Sequence, residues 1–81
     1  MGFRIKIAGT RVSIHDNDHN PPHIHAEYNE HEELIEIRTF ANYAGWIPKA
    51  QHRAVLKYMN QNQQFLLDEW VRLTKRGTLA K

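Results

Sequence analysis

Phe3, Ile5 and Ile7 alternate with Arg4 and Lys6, which is the two-residue period of a strand with one face buried. Ala8-Gly9-Thr10 reads as a turn and Val12-Ser13-Ile14-His15 resumes the alternation. The chain therefore predicts an opening hairpin, with Arg4, Lys6 and Arg11 on or near its wet side. From Asp16 to Pro22 the pattern stops: Asp and Asn side chains that bond their own backbone lead into two prolines, which fix φ and remove donors. His23 to Tyr28 is extended again, and Asn29 suits a left-handed turn position. Glu33 to Arg38 predicts a fourth strand, paired with the third across a short polar connection at Asn29 to Glu32.

Gly45-Trp46-Ile47-Pro48 marks the change from strand to helix, since proline is favoured where a helix begins and its missing N–H costs nothing. Beyond it Ala50, Ala54, Val55, Tyr58 and Met59 share one helical face, and Leu66, Trp70 and Leu73 repeat at four and three residues. Asn60-Gln61-Asn62-Gln63 between them fits either the cap of a second helix or a point within one bent helix. Lys75 and Arg76 followed by Gly77 make a good helix end. The expected fold is α+β: about four antiparallel N-terminal strands with one or two C-terminal helices packed on one face. Val55, Tyr58, Leu66 and Trp70 would cover the alternate Ile and Val side chains, leaving the other sheet face for function or a partner.

At 81 residues there is room for one domain, residues 1–81. Hydrophobic residues are 41% of the chain and charged residues 25%, so it is expected to fold and not to remain disordered. A core this small is marginal, and a partner protein or a homodimer would add burial. Cysteine is absent, which removes thiol nucleophiles, thiolate ligands and disulfides. Charges interrupt the apolar residues of Met1-Gly2-Phe3-Arg4-Ile5-Lys6, so neither a signal peptide nor a membrane span is expected and the expected location is the cytoplasm.

The net charge of +2 is too weak to define a nucleic-acid binder, but its distribution is uneven. Every charged residue before His15 is basic. From His15 to Glu36 the chain carries only acids, together with His15, His19, His23, His25 and His31. Carboxylates near imidazoles favour the protonated ring or a bound cation. On a strand His23 and His25 point to the same face, with Ile24 turned to the core, and His19 and Asp18 precede the rigid prolines. His19, His23, His25 and Asp18 thus form a candidate metal set, for which a divalent transition metal such as zinc is the first choice, although no cofactor is required by the residues. The same His19, His23 and His25 could instead act without metal as general base and general acid on RNA, with Arg4, Lys6, Arg11 or Arg53 neutralising the phosphate. His52, on the first predicted helix, reads as a boundary or surface residue.

Asp18-His19-Asn20-Pro21-Pro22-His23-Ile24-His25-Ala26-Glu27-Tyr28 resembles the core of a small bacterial family, domain of unknown function 4160, whose members carry D-H-x-P-P-H-[FI]-H-A-x-Y. Gly45 and Pro48 resemble the family's G-x-x-P before its helix, and Leu66 to Trp70 its closing L-x-x-x-W. Asn29 stands where Gly is expected, and Asn62 where members often have His. The resemblance implies short standalone proteins, often encoded beside another small domain in an arrangement similar to a toxin and antitoxin pair. A component of such a module, acting on RNA through the histidine cluster and contacting a small cognate protein, is the leading expectation. The alternatives are a non-catalytic protein-binding or regulatory domain, and the metal-binding module described above.

Overall fold

The computed structural model describes residues 2–15 and 19–74; Asp16, Asn17 and Asp18 and the Lys75-Arg76-Gly77 segment lie outside the described residues. Five strands, β1 (Phe3–Ile7), β2 (Thr10–Ile14), β3 (His23–Tyr28), β4 (His31–Glu36) and β5 (Asn42–Gly45), precede two helices, α1 (Lys49–Gln61) and α2 (Gln63–Thr74). The strands form one sheet in the order β1-β2-β3-β4-β5, each antiparallel to the next. The fold is α+β, as the hydrophobic pattern implies, with one strand more than its alternation reveals.

Each turn has a local cause. Between β1 and β2, Ala8 and Gly9 both take positive φ, 50° and 77°, the mirror-image turn whose twist matches that of the flanking strands. Asn29, at φ 54°, turns β3 into β4, so pairing starts at Tyr28 and His31, earlier than the Glu33 expected from sequence. Pairing of β4 with β5 shifts between Leu34 and Ile35: Leu34 opposes Ala44 and Ile35 opposes Asn42, which leaves Tyr43 as the extra residue of a bulge. At Gly45 the backbone has φ 69°, and an added Cβ would run into the carbonyl oxygen of Glu32. That carbonyl also accepts the Trp46 N–H at 3.0 Å, so glycine here lets the end of β5 close against β4.

Alternation sends Val12, Ile14, Ile24, Ala26, Ile35 and Ile37 to one side, where they are buried with Val55, Met59, Leu66, Trp70 and Leu73 of the helices. Burying each large side chain contributes roughly 1.5–3 kcal/mol, and this layer contact is the main stabilising term. The helices are separate elements. At Asn62 the backbone N–H bonds Met59 O at 3.2 Å and the side chain bonds Tyr58 O at 2.9 Å, while Asn62 O accepts the N–H of Leu66 to start α2. Gln63 ties this joint to the sheet through Nε2, which donates to Ile37 O and Arg38 O at 2.8 and 3.0 Å. Among the described residues no helix is long and apolar enough to cross a membrane.

Candidate functional site on the open sheet face

The register builds the uncovered face. Arg4 opposes Ser13, Ser13 opposes His25 and His25 opposes Leu34, while beside this row Lys6, Arg11, Glu27 and Glu32 oppose one another in turn. Directly opposed residues share a face, so both rows point away from the helices. Basic groups occupy the β1–β2 side and acids the β3–β4 side. Arg11 pairs with Glu27 at 3.0 Å where the two regions meet.

His25 lies at the centre. Its Nδ1 is 2.9 Å from Glu32 Oε2, a diagonal cross-strand pair, and its side chain is only 12% exposed. A carboxylate at Nδ1 fixes the ring's orientation and favours the tautomer that leaves Nε2 as the basic atom. The ring of His15, just beyond β2, stacks on that of His25 with centroids 3.6 Å apart and planes 12° from parallel. His15 Nε2 in turn lies 3.3 Å from Ser13 Oγ.

His15 and Ser13 form one wall of an open hollow of about 430 Å³, with Arg4, Arg11 and Glu27 around it. A smaller hollow of about 210 Å³ on the other side of Arg11 includes Lys6 and Asn29. Arg4, Lys6 and Arg11 are therefore gathered on this face. Arg53 is exposed on α1, in the layer covering the opposite side of the sheet, and does not join them.

The other candidate histidines divide. His23 is 1% exposed, its Nδ1 donates to Pro21 O at 2.8 Å, and its ring packs 5.3 Å from those of Trp70 and Tyr43 and 5.1 Å from His25. It is a wedge between loop, sheet and α2, backing the site from beneath. His19 is exposed, with its ring 6.4 Å from that of His23. Among the described residues no group of three or more His, Asp or Glu side chains is arranged to hold a metal ion, and Asp18 lies outside them.

Two pairings were not legible beforehand. His15 and Glu32 complete the surroundings of His25 through register, which no local spacing encodes. On the helix side Glu33, 2% exposed, is held by His52 Nδ1 at 2.7 Å and Asn42 Nδ2 at 2.9 Å. His52 thus joins α1 to β4 and is more than a boundary residue; its four-residue offset from Pro48 on the helix gave no hint of a partner on a strand.

A five-strand meander backed by two helices, with a histidine cluster on its uncovered face, defines the class of protein. The chain belongs to the family described as Domain of unknown function (DUF4160), whose model matches residues 9–71 and so includes the His19–Tyr28 segment, Gly45, Pro48 and Trp70. No curated protein and no solved structure matches it.

Proposed function

We propose that this chain is one component of a bacterial toxin–antitoxin type module and that it captures RNA on the open sheet face. The reading is carried by one observation: the stacked His15–His25 pair, held by Glu32, borders the hollow of Arg4 and Arg11. A phosphate in that hollow would exchange Arg11's bond to Glu27 for its own and meet the His15 imidazole at its edge.

The stack argues for capture before cleavage. An in-line displacement at phosphorus needs its base and its acid on opposite sides of the phosphate, and two rings 3.6 Å apart face to face stand on the same side. The acidic half of the face, with Glu27, Glu32 and Glu36, supports a second contact in which a basic surface of the small cognate protein covers β3 and β4.

Binding of an unstructured RNA oligomer, measured across a salt series, tests the reading. Affinity is expected to fall steeply with salt, and Arg4→Ala/Arg11→Ala to weaken binding and flatten that slope by about two ion equivalents. Affinity unaffected by this double change would overturn the RNA reading and leave the protein contact. Induced expression of the wild type and of His15→Ala/His25→Ala at equal soluble level then separates the toxin half of the module, where only the wild type arrests growth, from the antitoxin half.

A further inference from the structure

Tyr43 is the residue that the β4–β5 bulge leaves without a partner, and bulges characteristically re-aim a side chain. Tyr43 is 41% exposed, and its ring centroid lies 5.3 Å from that of the buried His23 at a tilt of 32°. His23 is itself immobilised by burial and by its bond to Pro21 O. A partly exposed aromatic ring braced by a buried one is a candidate stacking surface. A row of rings, Tyr43 to His23 to His25 to His15, links it to the edge of the arginine hollow.

Charge determines how a ligand would lie along that row. Arg4, Lys6 and Arg11 favour a phosphate over β1–β2, whereas Glu27, Glu32 and Glu36 favour a base and not a phosphate against β3–β5. From β2 to β5 is three interstrand steps, about 14 Å, so a strand of two or more nucleotides is needed to span it, with its intervening phosphate turned to solvent and not laid on the acids.

We infer that Tyr43 stacks an unpaired base of single-stranded RNA whose backbone phosphate occupies the hollow of Arg4 and Arg11. This rests on the RNA reading above and adds the strandedness of the ligand: in a duplex the base faces are already covered. Trp46 is more exposed, at 59%, but follows Gly45 on the helix side and packs on His31 at 4.1 Å, so it serves as a control.

The test is fluorescence anisotropy with a labelled unstructured RNA oligomer, the same oligomer annealed to its complement, and a version made of abasic sugar-phosphate. Tyr43→Ala should lose about tenfold or more in affinity for the single strand, with an unchanged salt slope, while Tyr43→Phe and Trp46→Ala bind as wild type. The wild type should prefer the single strand to both the duplex and the abasic chain by a similar factor, and Tyr43→Ala should lose that preference. Circular dichroism melts of each variant verify folding, and Tyr43→Phe keeps the ring if the alanine variant is unstable. If Tyr43→Ala retains wild-type affinity and preference while Arg4→Ala/Arg11→Ala weakens binding, the base-stacking role is wrong and RNA capture stands. If the wild type binds none of the three probes at low salt, both fail.

Discussion

Glu33 bears most directly on stability at the scale of single residues. A buried carboxylate with both oxygens bonded is tolerable, whereas one that loses a donor carries an uncompensated desolvation cost. His52→Ala is therefore expected to destabilise the fold by about 1–3 kcal/mol, seen as a lower urea midpoint with an unchanged slope. His52→Gln, which retains a donor, should recover part of the loss. Tyr58 gives a pH signature of its own. Burial raises its phenol above the usual 10.0 by disfavouring the charged form. The folded chain thus binds that proton more tightly than the unfolded chain does. Its contribution is complete below the unfolded value and is lost as pH climbs from there through the folded one. Ultraviolet titration of Tyr58→Phe beside the wild type should remove one late-ionising phenol.

Among the elements, β1 to β4 and the helical region after Pro48 are legible in the sequence because each carries an apolar period. β5 is not. Asn42-Tyr43-Ala44-Gly45 is exposed throughout, so no alternation distinguishes it from a loop, and it is held by backbone pairing, by Asn42 and by the glycine. The site was half legible for a related reason. The spacing of His23 and His25 gives their shared side of the strand, but Trp70 and Tyr43, which bury His23, come from elements whose placement is tertiary. His15 and Glu32 meet His25 only through register. Asn62 resolves the choice between one bent helix and two, by bonds that depend on its side chain and not on periodicity. Replacing Gln63 by Ala should cost about 1 kcal/mol, because it cuts both bonds from the helix joint to the β4–β5 connection. A lower melting temperature with the far-ultraviolet spectrum unchanged would show it.

For the whole molecule, the division between faces is what matters. One side of the sheet is committed to the helices through a continuous apolar layer, and the other carries the charged rows and the histidines. Function and stability are thereby largely separable. Changes at Arg4, Arg11 or His15 are expected to leave thermal stability within about 0.5 kcal/mol of wild type, as surface substitutions usually do. Trp70→Ala, in contrast, should cost about 3–5 kcal/mol and disturb His23 with it. Melting curves of the two groups should therefore not overlap.

The neighbouring Glu32 and Glu33 hold histidines on opposite sides of one strand, and this bears on how β4 finds its alignment. The stretch Glu32-Glu33-Leu34-Ile35-Glu36 reads almost as well with its faces exchanged: slipped by one residue, Leu34 would replace Ile35 in the core and Glu32 would replace Glu33 beside His52. Hydrophobicity penalises that frameshift only at the end of the strand, where Glu36 would take the buried site of Ile37. It is rejected as well by the closure of Gly45 and Trp46 on the Glu32 carbonyl and by the need of His25 for a carboxylate where the slipped strand would offer His31. Gly45→Ala, beyond a strain of about 1–3 kcal/mol, is thus expected to populate an out-of-frame partner conformation, detectable as doubled amide resonances along β4 in a two-dimensional nitrogen–proton spectrum.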